Sequence, residues 1–111
     1  MKRIEAVVQS ESTKKVIDAI NAIGVGGITV TQSLGQGSGE RPWIGGEKGE
    51  RIEFNSIDTI VTVVDDSKMQ DVVSKIVEAV HTGKKGDGKV FVSNVEETFD
   101  IATKEKGQNA L

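Results

Sequence analysis

Hydrophobic positions along this chain switch between a spacing of two and a spacing of three to four, and each switch marks an element boundary. Ile4, Ala6 and Val8 alternate with Glu5 and Val7, and the run stops at Gln9 and Ser10, which predicts a first strand. Polar Glu11 to Lys15 then opens a helix with Val16, Ile17, Ile20 and Ile23 at helical spacing. Ser12 or Thr13 suits its cap, and Gly24 sits where a left-handed residue ends it. Gly26 and Gly27 break the chain, after which Ile28, Thr29, Val30 and Thr31 predict a second strand reaching Leu34. Ile57, Ile60, Val61, Val63 and Val64 make a third, closed by Asp65, Asp66 and Ser67, any of which can cap a second helix. In that helix Met69, Val72, Val73, Ile76, Val77 and Val80 repeat at i, i+3, i+4 and i+7, and Gly83 ends them. Val90, Phe91 and Val92 supply a fourth strand, and the tail from Glu96 onward is mostly polar.

The second and third strands are separated by a stretch of different composition, from Gly35 to about Ser56. It mixes Gly35, Gly37, Gly39, Gly45, Gly46 and Gly49 with charges, and holds the chain's one proline and one tryptophan, Pro42 and Trp43. Loops beyond about 12 to 15 residues are uncommon inside a compact domain and usually functional. The order is then βαβ, long loop, βαβ, which predicts an α+β fold: a ferredoxin-like βαββαβ sandwich, four antiparallel strands with two helices on one face. The opposite sheet face carries Val and Ile with no helix to cover it, so its burial against other subunits is expected.

At 111 residues the chain is read as one domain over 1–111, with the long loop at about 36–56 and the polar tail at about 96–111. Aromatic residues are 4% of the total, so the core must be aliphatic. A formal charge of −3, with the cations scattered, disfavours nucleic acid as a partner. The absence of cysteine excludes a thiolate nucleophile and a CxxC metal site. Neither an apolar leader nor a membrane-length apolar run is seen, so a cytoplasmic address without membrane insertion is expected.

Two glycine turns are the best candidates for chemistry. Gly83 to Lys89 fits GxxxxGK, but Val90 stands where a magnesium-binding hydroxyl belongs, and the loop leads from helix to strand, the reverse of a phosphate loop. The glycines still expose backbone N–H groups and Lys89 adds a point charge, which makes an anion nest; solvated lysines on a plain turn are the alternative. Gly35-Gln36-Gly37-Ser38-Gly39 exposes backbone in the same way, or serves as a hinge. Both turns suit one anionic nucleotide. His81, the single histidine, falls in the last turn of the second helix and reads as a surface residue. Asp65 and Asp66 read as caps, and Ser10, Ser12, Ser38 and Ser56 have no neighbouring histidine, so no hydrolase or transferase site is visible. Trp43 suits either a subunit contact or an anchor for a partner protein.

These residues resemble the PII signal-transduction family, nearly end to end. The resemblance is carried by the opening Met1 to Val8, by Gly24 to Leu34 with Gly27-Ile28-Thr29-Val30-Thr31, by Gly35 and Gly37, by Val63 to Asp66, and above all by Thr82 to Val92. It implies a homotrimer with adenine nucleotide, ATP or ADP, in the clefts between subunits, magnesium as an accompanying ion, and no catalysis. Adenine would be enclosed by Val7, Gly27, Ile28, Thr29 and Val63. The phosphates would meet backbone donors of Gly35, Gln36, Gly37, Gly86, Asp87 and Gly88, with the Lys89 ammonium beside them. The long loop would be the family's T-loop, presenting Arg41, Trp43, Lys48 and Arg51 to a protein target, a membrane transporter or a metabolic enzyme.

The departures from the family pattern are specific. The chain has no tyrosine, so uridylylation of a loop tyrosine is excluded, and Glu50 or Arg51 stands there. Gly39 replaces the loop-base glutamine and Ile57 the lysine associated with 2-oxoglutarate, which argues against direct sensing of that acid. Ser38, Asp100 and Ala102 fall where the family has phosphate-binding arginines, leaving Lys104 or Lys106 as substitutes. Two other classes fit the fold: a small ferredoxin-like hydrolase, which would need an arginine that Gln9 to Thr13 lacks, and a ligand-free structural trimer.

Overall fold

The computed structural model describes residues 1–36 and 55–111. Four strands, β1 (Lys2–Gln9), β2 (Thr29–Gly35), β3 (Asn55–Val64) and β4 (Lys89–Asn94), form one antiparallel sheet in the order β2-β3-β1-β4. Helices α1 (Thr13–Asn21) and α2 (Asp66–Val80) follow β1 and β3, and single 3₁₀ turns occupy Ser10–Ser12 and Gly107–Ala110. This is the ferredoxin-like α+β arrangement that the hydrophobic periods predict.

Alternation decides which face is which. On β1 the buried residues are Ile4, Ala6 and Val8; on β3 they are Asp58, Ile60, Thr62 and Val64. They pair across the central strands, Ala6 opposite Ile60, and meet Val16 and Ile20 of α1 and Val72 and Ile76 of α2 in one aliphatic core. The helical stripe is narrower than its sequence suggests, because Val77 is 47% exposed. On the other face lie Val7, Val61, Val63, Ile57 and Phe91, with the Arg3 guanidinium 2.9 Å from the Glu5 carboxylate among them. No described helix covers that face.

Local signals were mixed. Asp65 caps α2 by accepting the Ser67 N–H at 3.3 Å, and Gly24 ends the first helical segment at φ +80°. At α1, however, neither Ser12 nor Thr13 makes a side-chain cap. The Thr13 hydroxyl instead donates to the buried Asp58 carboxylate on β3, which also accepts from Ser10 at 3.1 Å. A tertiary partner took the place of the local one. β3 also begins earlier than its apolar run, at Asn55, since Gly35, Leu34 and Ser33 of β2 pair with Asn55, Ser56 and Ile57.

The tail is structured, which its polar composition does not announce. Phe99 bridges Lys106, Asp100 N–H donates to Glu105 at 2.9 Å, and the Gly107 N–H donates to Thr98 at 2.9 Å. Lys104 closes this small hairpin at φ +63°. Gln108 then bonds Asp65, and the Leu111 backbone packs on Gly26, where a Cβ would stand 3.1 Å from it. The chain thus folds back onto the entry to α2. Among the described residues no helix is long and apolar enough to cross a membrane, and no cluster of His, Asp and Glu could hold a metal ion.

Candidate functional site

The glycine turn after α2 is built by one carboxylate. Asp87 accepts from the Thr82 hydroxyl, from Thr82 N–H at 2.7 Å and from Gly83 N–H at 3.0 Å. These bonds require the chain to double back, which Gly83, Gly86 and Gly88 permit at φ +85°, +99° and +114°. The turn is then seated on the end of β1: Gln9 Nε2 donates to the Gly86 carbonyl at 3.0 Å, and Gly88 lies against the Val7 carbonyl.

Seating this turn creates a cavity of about 270 Å³ between it and the end of β2. Val7, Gly35, Gln36, Gly86, Gly88 and Lys89, all expected at a nucleotide site, line it. So do Ile57, expected where the family has a lysine, and Gln9, Asn55 and Phe91, which sequence reasoning passed over. Their signal was the period of two: Gln9 follows Val7, Phe91 follows Lys89, and Ile57 and Asn55 continue the face of Val63 and Val61. Ile57 packs against Gly35, and its Cδ1, 2.4 Å from an added Cβ, would have to turn aside for any larger residue. The Asn55 Oδ1 is buried here and has no hydrogen-bond partner among the described residues.

A second depression, about 480 Å³, opens at the other end of β2. Gly27, Thr29 and Val63 line it as expected, joined by Val61, Thr62, Asp100 and the last residues of the tail. Thr62 donates to the Gly27 carbonyl at 2.7 Å, which fixes the approach to β2. Two expected residues line neither space. Ile28 is partly buried against the core, and the Asp87 carboxylate is turned into its own loop, so its part is to shape the turn. Gly37, Arg41, Trp43, Lys48 and Arg51 lie outside the described residues.

The polar termini have a consequence for pH. Thr82 above all, then the Gly83 N–H, holds Asp87 below the ordinary carboxylate value of 3.8. Ser67 does the same for Asp65, and the Thr103 and Ala102 N–H groups for Asp100. A carboxylate with a depressed folded-state pKa adds stability above its unfolded value and loses it as pH falls through the folded one. The urea midpoint is therefore expected to hold down to roughly pH 5 and to drop below about pH 4. In Asp87→Asn the acid limb should be shallower; an unchanged limb would contradict the role of Asp87.

The profile of nitrogen regulatory protein P-II matches residues 1–105 of this sequence. The chain belongs to the P-II family. It is 34% identical to the nitrogen regulatory protein P-II of Azospirillum brasilense, over the whole of both chains. It is 37% identical to nitrogen regulatory protein P-II 2 of Methanothermobacter thermautotrophicus, covering 100% of this chain and 97% of that one. Among solved structures it resembles Arabidopsis thaliana PII bound to citrate, with a TM-score of 0.80 and 28% identity over 99% of this chain and 91% of that one. P-II proteins are trimeric regulatory signal transducers acting on target proteins, and the resemblance carried by Thr82 to Val92 is thereby secured for the family and for the fold.

Proposed function

We propose that this P-II protein is a non-enzymatic regulator that binds an adenine nucleotide of the ATP and ADP series in clefts between subunits. It would control a transporter or a metabolic enzyme through its long loop. The observation that carries the binding site is its division. Two cavities lined by residues of the expected nucleotide set lie at opposite ends of β2, with Gly27 and Thr29 at one end and Gly35 at the other. Thr29 and Gly35 are six residues apart, about 20 Å along a strand. Two copies stacked through their uncovered sheet faces would join the phosphate-facing half of one subunit to the base-facing half of the next. Such stacking also buries Val7, Val61, Val63 and Phe91.

Glycine turns and Lys89 give the first cavity backbone and ammonium donors for phosphate oxygens. The unpartnered Asn55 Oδ1 in that cavity is a hard oxygen of the kind magnesium accepts, so Asn55 would hold the ion beside the phosphates. When bound, the ion would neutralise phosphate charge. Ile57, packed on Gly35, places no cation for an oxoacid, which supports the reading that 2-oxoglutarate is not sensed directly. A hydrolase gains no support, since Ser10 and Thr13 after β1 are engaged with Asp58.

Calorimetric titration with ATP and ADP, with and without magnesium and 2-oxoglutarate, tests this. Saturation near one nucleotide per subunit is expected; no heat with any nucleotide would sink the proposal, and a gain on adding 2-oxoglutarate would overturn the statement about Ile57. A substitution sharpens it. A Cβ at Gly27 meets nothing within 4 Å, so Gly27→Val is expected to fold while its two methyl groups narrow the second cavity. Nucleotide affinity is expected to fall at least about tenfold, roughly the 1.4 kcal/mol of a small lost fit.

A further inference from the structure

The two cavities differ in charge in a way that bears on which nucleotide they take, an inference that rests on the nucleotide reading proposed for this site. Among the described residues lining the first, Lys89 is the one charged side chain. Among those lining the second, it is Asp100. The Asp100 carboxylate is not free to swing away: it accepts the Ala102 and Thr103 N–H groups at 2.8 and 2.9 Å, within the hairpin closed by Phe99 and Lys106. The side chains at hand around a joined site therefore sum to no net positive charge, one cation against one fixed anion. The nearest tail cation, Lys106, lies over the Phe99 ring at 5.7 Å, and neither it nor Lys104 lines either cavity.

We infer that the site selects a lightly phosphorylated adenine nucleotide, a nucleoside monophosphate before a diphosphate and a diphosphate before a triphosphate. Without magnesium, each added phosphate brings negative charge that must leave water for a cleft in which Lys89 is the one ammonium among the described lining residues, and an uncompensated buried charge is costly. The glycine N–H groups and Lys89 suffice for one phosphate group. Further phosphates gain backbone dipoles but meet the field of Asp100, and at an effective dielectric of about 20 two like charges about 10 Å apart repel by on the order of tenfold in affinity. A carboxylate in the base-facing half also suits the ribose, whose hydroxyls donate to it as they do to an acidic residue in dinucleotide sites.

The test is competition of adenosine, AMP, ADP and ATP for the full-length protein in EDTA at fixed ionic strength, read by calorimetry. AMP is expected to bind about tenfold or more tighter than ATP, with ADP between. Asp100→Asn keeps an oxygen for the Ala102 and Thr103 N–H groups and removes the charge; it should narrow the AMP-to-ATP ratio by about tenfold. ATP binding tightest to the wild-type protein, or a ratio unmoved in a folded Asp100→Asn, would overturn the inference while leaving the nucleotide reading intact. Failure of every nucleotide to bind would instead remove that reading, and the inference with it.

Discussion

Gly88→Ala should unfold this protein at a markedly lower denaturant concentration and abolish the first cavity. At φ +114° an L side chain is strained by about 1–2 kcal/mol before any contact is counted. Its Cβ would also stand 2.4 Å from the Val7 carbonyl oxygen and 3.2 Å from the Val8 Cα, both backbone atoms of a central strand that cannot step aside. Relieving that overlap adds about 1–3 kcal/mol, so a total near 2–4 kcal/mol is expected, a large share of the stability of a chain this size. Gly27→Ala provides the control: its Cβ meets nothing, φ is not left-handed, and the change should be neutral or slightly stabilising. Equal urea midpoints for the two variants would contradict the seating of the glycine turn on β1.

A comparable loss is expected for Asp58→Ala. Asp58 is only 4% exposed, and its carboxylate receives the Ser10 and Thr13 hydroxyls while Ser10 also meets Ser56 at 2.9 Å. Alanine leaves two half-buried hydroxyls without that acceptor, at about 1–2 kcal/mol each, so a destabilisation of roughly 2–4 kcal/mol is expected. Because this cluster anchors the segment after Gln9, which lines the first cavity, nucleotide affinity should fall as well. A double-mutant cycle with Thr13→Ala checks the cause: the coupling should exceed about 1 kcal/mol, and strict additivity would show that Asp58 acts through something other than these hydroxyls.

Asp58 also illustrates what could be read in advance and what could not. The strands and helices were legible because Ile4-Ala6-Val8 and Met69-Val72-Val73-Ile76 state their periods locally. Gly24 and Asp65 behaved as their types suggest. Asp58 interrupts an apolar run, and nothing local says that its partners sit just past the end of β1. The tail was hidden for a related reason: its order comes from backbone bonds, from Asp100 and from Gln108 reaching Asp65, none of which leaves a hydrophobic repeat. The glycine turns were legible as anion nests, but the part of the Asp87 carboxylate in shaping its own turn was not, because the Thr82 and Gly83 groups it accepts from come within reach only once the chain has doubled back. Gln9, Asn55 and Phe91 were recoverable by continuing the period of two from residues already chosen.

One nucleotide shared by two subunits is tested most directly in mixed trimers. Lys89→Ala disables the half-site at the first cavity and Gly27→Val the half-site at the second, so homotrimers of either should bind nucleotide poorly. Unfolding and refolding the two together places an intact first half beside an intact second half at one cleft in every mixed trimer. The mixture is expected to regain saturable, near-wild-type-affinity binding at about one site per mixed trimer. Binding no better than the average of the two parents would contradict it, since a site contained within one chain cannot be repaired by a neighbour.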